Sequence, residues 1–144
     1  MNEAAHSRKV FAYVTRITDG GAEVLVFESL DEPGFEIPKG AVETGETLAE
    51  AVARELLEEA GIADARVVRE LGASDWQGER QHFFLAAAPA GVPRTFEHAV
   101  TGDGIDAGFR YRFRWLPVDR GLRDRLVQGC GRFVEELLAA LSDS

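Results

Sequence analysis

Apolar and polar positions alternate in several stretches of the chain, and one stretch has a helical period instead. Alternation over residues 9–17 and 22–27, with turn-forming residues 18–21 between them, predicts a β-hairpin. Residues 48–60 repeat apolar positions every three or four residues, which predicts an amphipathic helix. Further strands are expected at residues 66–71 and 81–87, which are separated by turn-forming residues 74–79.

The last third of the chain combines a predicted loop, a strand and a helix. Residues 89–108 are polar and rich in glycine, whereas residues 109–115 alternate without a fault. Residues 122–141 have helical spacing, with four apolar side chains expected to face inward: Phe133, Leu137, Leu138 and Leu141. Because no internal repeat or interdomain linker is visible, we expect one domain over residues 1–144, with residues 1–8 as a flexible N-terminal tail.

The helix predicted after residue 47 has recognisable signals at both ends. Thr47 and Glu50 have the spacing of a capping box, in which the hydroxyl and the carboxylate bind free backbone amides of the first turn. Gly61 supplies a left-handed residue that ends the helix, and Ile62 supplies the apolar contact that accompanies it. Residues 38–46 form a tight loop upstream, so the unit is a strand, a glycine-containing loop and a helix.

Three glutamates on this helix require a cation. Glu55, Glu58 and Glu59 lie three or four residues apart and converge on one side, where their like charges repel. Most acidic runs are solvated helix faces. Helical projection, however, places Glu55 and Glu59 on the apolar stripe with Val52, and Arg54 is the only basic residue of the helix. Oxygen ligands without a nearby His or Cys select Mg²⁺, Mn²⁺ or Ca²⁺, so the pattern predicts a divalent-metal site.

The same segment resembles the Nudix box, a motif written G-x5-E-x7-R-E-U-x-E-E-x-G-U in which U is an aliphatic residue. Residues 40–62 match this motif without a departure. The matching positions are Gly40, Glu46, Arg54, Glu55, Leu56, Glu58, Glu59, Gly61 and Ile62. The resemblance implies an α/β fold of the Nudix type, an α/β/α sandwich with a mixed β-sheet between helices, which agrees with the order of the predicted elements.

The resemblance also implies an enzyme, a Nudix hydrolase that uses Mg²⁺ or Mn²⁺ to cleave a diphosphate linkage between a nucleoside diphosphate and another moiety. It implies that Glu55, Glu58 and Glu59 are catalytic metal ligands, joined by the backbone carbonyl near Gly40. Arg54 and Glu46 belong to the implied catalytic group, with Arg54 orienting Glu46 or Glu55. Metal ions held there would neutralise adjacent phosphates, position an attacking water and lower the pKa of that water.

The general base has more than one candidate. The resemblance implies either a glutamate of the box, such as Glu55, or an acidic residue in the loop before the last core strand. That loop offers Glu97, Asp103 and Asp106. Long loops are polar in most proteins and also carry function, so the residues alone do not choose among these acids.

Basic residues outside the box are candidates for substrate phosphates. Residues 109–115 place aromatic side chains on one face of the predicted strand and Arg110, Arg112 and Arg114 on the other. This is how any half-buried strand with solvated arginines looks, but a planar guanidinium also suits a phosphate. Lys39, beside the box glycine, is a second candidate for phosphate binding. Lone aromatic residues and histidines favour packing or surface positions, which is the expectation for Phe35, Trp76, His82 and His98.

The composition of the chain limits the kinds of partner that we expect the protein to bind. The 144 residues include 16 Lys and Arg against 25 Asp and Glu, a net charge of −9, which disfavours stable binding to nucleic acid or acidic membranes. Cys130 is the only cysteine, so no intrachain disulfide forms and a buried thiol is expected. No apolar run has the length of a signal core or a membrane span, so we expect a soluble, cytoplasmic protein, either a monomer or a homodimer.

The substrate class follows from the residues that lead into the box. Residues 35–40 resemble the corresponding segment of Nudix enzymes that act on dinucleoside polyphosphates, and also that of enzymes acting on ADP-ribose. Pro38, Lys39 and Gly40 favour the first group, so we expect a small-molecule substrate, a nucleoside polyphosphate or dinucleoside polyphosphate. An ADP-ribose or ADP-sugar pyrophosphatase is the alternative. A nucleotide-sensing Nudix module without catalysis is a further alternative, but such a module does not need the complete set of box glutamates.

Overall fold

An eight-stranded mixed sheet carries helices on both faces in the computed structural model, which describes residues 7–102, 104 and 106–142. The strands are β1 (Arg8–Thr18), β2 (Gly21–Glu28), β3 (Phe35–Glu36), β4 (Lys39–Ala41), β5 (Arg66–Trp76), β6 (Glu79–Ala87), β7 (Thr95–Ala99) and β8 (Arg110–Pro117). The helices are α1 (Leu48–Ala60), α2 (Leu122–Arg125), α3 (Gln128–Gly131) and α4 (Val134–Ser142).

The sheet opens between its two central strands. Its order is β5-β6-β1-β2-β8-β7, and β1 runs parallel to β6. Residues 15–18 of β1 pair with β2, but residues 9–11 of β1 pair with β4, and the far end of β2 pairs with β3. The segment from β3 to β4 therefore fills the gap where β1 and β2 separate. This places Glu36, Lys39 and Gly40 beside the helix that follows them.

Two apolar layers flank the sheet. Helix α1 packs through Ala51, Val52 and Leu56 against one face, and the helices after residue 121 cover part of the other face through Leu122, Val134 and Leu137. Alternate residues of one strand serve the two layers, as Val24 and Val26 face one and Leu25 and Phe27 face the other. The predicted α/β/α sandwich with a mixed sheet is confirmed.

Helix α1 begins and ends where its capping signals predict. The Thr47 side chain accepts the amide hydrogen of Glu50 at 3.1 Å, and the Glu50 carboxylate accepts that of Thr47 at 2.9 Å. Gly61 has φ 71°, a left-handed conformation that glycine adopts without strain, and the Ile62 amide donates to the Leu56 carbonyl at 3.1 Å. The limits of the acidic helix are thus determined by local sequence at both ends.

Two expectations about strands need correction. Strand β5 continues to Trp76, so the turn predicted at 74–79 contracts to Gln77 and Gly78, whose φ values of 52° and 85° suit a two-residue hairpin. The loop predicted at 89–108 contains β7, an edge strand that pairs with β8. The polar sequence of this segment gave no strand pattern. The contacts that stabilise β7 come from β8 instead, where the Phe96 ring stacks on Phe113 with 5.0 Å between centroids.

The tail predicted as one helix over residues 122–141 is three short helices. Leu126 and Val127 are extended, with ψ of 147° and 152°, and the Val127 amide donates to the Phe35 carbonyl at 2.9 Å. This tertiary hydrogen bond interrupts the helical period. The four side chains expected inward still face the core: Leu137 is fully buried, and Phe133, Leu138 and Leu141 are partly buried beside it.

The sequence predicts a tail over residues 1–8. Strand β1 already includes Arg8, and residues 1–6 of that tail lie outside the described residues. Within the described part of the chain, no helix combines the length and apolar character needed to cross a bilayer.

Candidate functional site

The three glutamates of α1 lie on the side of the helix that faces β4. Glu59 is only 3% exposed, and the side chains of Glu55 and Glu58 are 15% and 25% exposed. The order of burial follows the helical projection, because Glu59 and Glu55 share the stripe of the buried residues Val52 and Leu56. The prediction of partly buried carboxylates is therefore confirmed for these side chains.

Gly40 lets strand β4 touch the first of these carboxylates. A Cβ atom at residue 40 would overlap the carboxylate carbon and both oxygens of Glu55. Backbone and acid approach each other closely only because the box position at 40 has no side chain. This approach places the Gly40 main chain at the acidic cluster, as the resemblance implied.

Replacing Gly40 by alanine is expected to push the Glu55 carboxylate out of its place. The carboxylate is the far end of a flexible side chain, so the free energy of unfolding should fall by only about 1 kcal/mol, while kcat falls about tenfold or more. Gly20→Ala is the matched control, because the nearest atom to its new methyl group would lie at an ordinary 3.8 Å. Steady-state kinetics and thermal unfolding of both variants make the comparison, and wild-type kcat in Gly40→Ala would contradict the expectation.

Arg54 joins the box loop to the acidic helix. Its guanidinium donates to Glu46 at 2.7 and 2.9 Å, to the Ala41 carbonyl at 2.7 Å, and to Glu55 at 2.8 Å. A longer bond of 3.3 Å reaches Glu58. The hydrogen bond from Arg54 is the main reason why the pKa of Glu46 is lowered. The fork of one arginine thus holds Glu46 and contacts Glu55, while a catalytic role for Arg54 and Glu46 stays a prediction.

Glu59 is held from the strand side by Lys39. The Lys39 amide donates to Glu59 Oε1 at 2.9 Å, while the Lys39 ammonium forms an ion pair with Glu36 and lies 5.8 Å from the centre of the Phe27 ring. Burial raises the pKa of Glu59 to about 8, although Lys39 acts in the opposite direction. Burial also raises the pKa of Glu55, against the hydrogen bond from Arg54. Desolvation therefore dominates at both acids, and their charged forms need a further cation.

The candidate bases of the loop lie in different places. Asp106 adds to the negative potential at Glu55 and Glu59, and Tyr111 Oη donates to it at 3.5 Å. Glu97 instead pairs with Arg112 at 3.3 Å and Arg110 at 3.9 Å. Asp103 lies outside the described residues. Of the two acids that the structure describes, only Asp106 is near the acidic cluster.

Tyr111 is part of the site and was not selected from the sequence. Its ring stacks on Phe27 at 4.2 Å, and its hydroxyl is directed toward Asp106. Burial, followed by the charges of Glu59 and Asp106, raises its pKa. The available signal was that Tyr111 is the one residue with a hydroxyl group among the alternating aromatics of residues 109–115. The first of those aromatics, Phe109, precedes β8 and is 49% exposed, so the expected inward face begins at Tyr111.

The structure does not bring the three arginines of β8 to the carboxylates. They lie on the face of the strand opposite Tyr111 and Phe113, with side chains that are at least half exposed. Arg114 pairs with Glu28 at 3.7 Å and lies over the Phe35 ring at 5.4 Å. A phosphate-binding role for Arg110, Arg112 and Arg114 stays a prediction.

The remaining residues considered from sequence have clear positions. Trp76 packs under the Arg132 guanidinium at 4.4 Å, and Cys130 is buried as expected. His82 is buried and contacts Glu70 at 2.7 Å, which agrees with a packing role. His98 differs, because its ring reaches the end of α1 and contacts the Glu58 carbonyl at 3.1 Å.

The donor set is suited to a hard divalent cation. Among the residues that the structure describes, no group of three His, Cys, Asp or Glu side chains is already arranged around a metal position. The glutamates of α1 instead have protein partners in this structure: Arg54 binds Glu55 and Glu58, and the Lys39 amide binds Glu59. The acids are nevertheless adjacent, supply only oxygen ligands, and include a buried glutamate with a raised pKa. These properties fit a hard divalent cation better than a softer metal.

The fold and the site together define a class of protein. It is an α/β/α sandwich in which an acidic helix packs against a glycine-containing loop, at the place where the two central strands separate. The family model of the NUDIX domain matches residues 7–137, so this chain belongs to the Nudix family. Proteins of this family generally act on small nucleotides with the help of divalent metal ions. The family match supports the hydrolase that the resemblance implies.

Solved structures similar to this chain agree with its fold over nearly the whole length. A structure reported for MutT from Aliivibrio salmonicida and Vibrio cholerae is 21% identical, with a TM-score of 0.66, and covers 94% of this chain and 98% of its own. The Ap4A hydrolase of C. elegans is 18% identical, with a TM-score of 0.65 and the same coverage. Nudix hydrolase 16, mitochondrial, of Arabidopsis thaliana is 45% identical over 58 residues, which are 36% of this chain and 32% of that protein. The chain thus matches about a third of this curated relative.

Proposed function

We propose that the protein is a divalent-metal-dependent hydrolase that cleaves a diphosphate linkage in a nucleoside polyphosphate or dinucleoside polyphosphate. The observation that carries the proposal is the burial of Glu59 beside Glu55, Glu58 and the Gly40 main chain. A carboxylate that is 3% exposed, with a pKa raised by burial, is costly in its charged form. Such a cost is expected where a metal ion and an anionic substrate restore the balance.

Each residue of the site has a defined part in this chemistry. Glu55, Glu58 and Glu59 would hold Mg²⁺ or Mn²⁺ with the Gly40 carbonyl, and Arg54 keeps Glu55 in place through the 2.8 Å hydrogen bond. When bound, the metal supplies charge neutralisation for the phosphates and a more acidic water. The protein contributes position, because phosphoryl transfer depends mainly on alignment and charge stabilisation.

Lys39 is the basic residue best placed to meet the substrate phosphates. Its ammonium lies near Glu36, Glu59 and the Phe27 ring, at the same opening as the carboxylates. A chain with a net charge of −9 repels a polyanionic nucleotide at long range, so a local cation is needed at the point of contact. Tyr111, stacked on Phe27, borders the same opening and offers an aromatic surface. The name Ap4A hydrolase of one similar structure agrees with a dinucleoside polyphosphate, although that likeness shows only the fold.

A panel of substrates tests the proposal. Diadenosine polyphosphates, nucleoside triphosphates and ADP-ribose are incubated with the protein and Mg²⁺ or Mn²⁺, and the products are separated by chromatography. We expect the polyphosphates to be hydrolysed with the highest kcat/KM, and ¹⁸O-labelled water identifies the phosphorus that is attacked. A preference for ADP-ribose would reject the substrate class. Tight nucleotide binding without any turnover would reject the enzyme and favour the sensing module.

The same assay tests which residue is the general base of the proposed reaction. We assign this part to Asp106, because it is the described loop acid that acts on Glu55 and Glu59 and contacts Tyr111. Asp106→Asn is expected to lower kcat by about a hundredfold, as loss of a general base does. Glu97→Gln is the control from the same region, since its carboxylate pairs with Arg112 on the other face. Wild-type kcat values for both variants would return the assignment to a glutamate of the box or to Asp103.

A further inference from the structure

The main-chain carbonyl of Glu58 is bound by the segment that follows strand β7. It accepts hydrogen bonds from the Thr101 amide at 3.0 Å, from the Thr101 hydroxyl at 3.4 Å and from the His98 ring at 3.1 Å. Residues 98–101 therefore direct three donors at one atom of the acidic helix. No other residue of the box receives this many contacts from outside its own segment in the described hydrogen bonds.

The way that helix α1 ends leaves the Glu58 carbonyl without a hydrogen bond inside the helix. Within a longer helix the Glu58 carbonyl would accept from the amide of residue 62. Gly61 turns the chain instead, and the Ile62 amide donates back to the Leu56 carbonyl at 3.1 Å. The donors from residues 98–101 therefore take the place of the missing helical hydrogen bond at this carbonyl.

The His98 ring is fitted closely against the same turn. A Cβ atom at Gly61 would lie 2.8 Å from His98 Nδ1, so the ring occupies the space that the glycine leaves open. Because a carbonyl only accepts hydrogen bonds, the contact at 3.1 Å assigns the ring hydrogen to Nε2. The histidine is therefore oriented from both sides, by packing at one nitrogen and by a hydrogen bond at the other.

The same segment also touches the carboxylate of Glu58. Gly102 has φ 96°, and a Cβ atom there would lie 2.6 Å from Glu58 Oε1. Just before it, Val100 is buried and exchanges hydrogen bonds of 2.8 Å with Phe109 and Gly108. The segment is thus anchored to the residues just before β8 on one side, and it contacts both the main chain and the side chain of Glu58 on the other.

We propose that His98 is a positioning residue, which holds Glu58 in its catalytic place through the Nε2–H hydrogen bond to the Glu58 carbonyl. The inference rests on the proposed function, in which Glu58 is a metal ligand. His98 itself does not meet metal or substrate. Loss of its donor loosens the contact between residues 98–102 and the end of α1, so the Glu58 carboxylate explores more positions. Groups that orient a metal ligand in this way typically affect metal affinity or activity about 10- to 100-fold.

Two nearly isosteric variants separate the hydrogen bond from the packing. His98→Gln places an amide nitrogen near the position of Nε2, whereas His98→Met has a similar length and no donor. Both lose the ring that packs on Gly61, so a packing defect affects them equally. We expect kcat in His98→Gln to stay within about twofold of wild type, and kcat in His98→Met to fall about tenfold. KM for the nucleotide at saturating metal should be unchanged in both variants.

Two measurements without turnover test the inference independently of the reaction. Mn²⁺ titrated without nucleotide and followed by electron paramagnetic resonance should show about tenfold weaker binding to His98→Met than to His98→Gln. In the metal-free protein, hydrogen exchange of the Thr101 amide should be faster in His98→Met by a similar factor. His98→Asn, whose amide is too short to reach the carbonyl, should behave like His98→Met and replaces it if that variant does not fold.

The outcomes distinguish this inference from the proposed function. Equal kcat, Mn²⁺ affinity and Thr101 exchange in the glutamine and methionine variants would overturn the positioning role, even if the wild-type protein is an active hydrolase. An inactive wild-type protein would overturn the proposed function. In that case, the Thr101 exchange rates would still test the His98 hydrogen bond.

Discussion

Replacing Glu58 or Glu59 by glutamine is expected to lower kcat at saturating Mg²⁺ by about a hundredfold or more. Glutamine keeps the size of the side chain and one carbonyl oxygen, but it removes the charge that holds a divalent ion. A metal ion contributes several kcal/mol of charge stabilisation, and about 2.7 kcal/mol already corresponds to a hundredfold in rate. The measurement is steady-state hydrolysis of the preferred nucleotide at increasing Mg²⁺ concentration.

The matched control is Glu135→Gln. Glu135 lies exposed in the first turn of α4, and the acidic cluster belongs to the other face of the sheet. Its replacement changes net charge by the same amount and should leave kcat unchanged. If Glu58→Gln or Glu59→Gln turned over at the rate of this control, the box glutamates would not be the metal ligands.

The second large effect concerns the stability of the metal-free protein at different pH values. Burial raises the folded pKa of Glu59 from an ordinary value of 4.5 to about 8. Between these values the folded protein holds a proton that the unfolded chain releases. The free energy of unfolding therefore decreases as pH rises through this window. The loss is complete near pH 8 and is on the order of a few kcal/mol, which partial hydration of the charged form reduces.

Glu59→Gln should remove this pH dependence. Its amide is neutral at every pH, and its carbonyl oxygen can still accept the Lys39 amide hydrogen that Glu59 receives at 2.9 Å. In EDTA, thermal unfolding should give similar Tm values for wild type and variant near pH 5. At pH 8 we expect the variant to unfold about 5 °C or more above wild type. Mg²⁺ should then stabilise wild type more than the variant, because only wild type keeps the charged ligand.

Two results would argue against this account. A constant difference in Tm between pH 5 and pH 8 would show that Glu59 does not titrate in that window. A wild-type protein whose stability in EDTA, relative to Glu59→Gln, rises with pH only below about pH 4.5 would show that the folded pKa lies below its ordinary value. Glu135→Gln again serves as the control, since an exposed glutamate should leave the pH profile unchanged.

Local signals explain why so much of the site could be predicted from the chain. The limits of α1 depend on contacts within a few residues, such as the reciprocal hydrogen bonds of Thr47 and Glu50. The convergence of Glu55 and Glu59 depends only on the helical repeat. The metal class follows from the chemistry of the donors.

The longer-range features could not be predicted from the sequence, because the residues that contact each other are far apart along the chain. Strand β7 is stabilised by β8, and the tail helix is interrupted by a hydrogen bond from Val127 to Phe35. Glu97 pairs with arginines of β8 whereas Asp106 lies near the acidic cluster, and the sequence did not show which position each acid takes. His98 gave no local signal, since its partner Glu58 lies 40 residues away.

The sequence by itself determined that residues 48–60 form a capped helix bearing three convergent carboxylates behind a glycine loop, because helical period and capping act over a few residues. Only the tertiary structure decided how deeply Glu59 is buried, which loop acid lies near the acidic cluster, and which histidine contacts the helix. Burial, and the pKa that follows from it, depends on the surrounding strands, since desolvation is a property of the packed molecule and not of the segment.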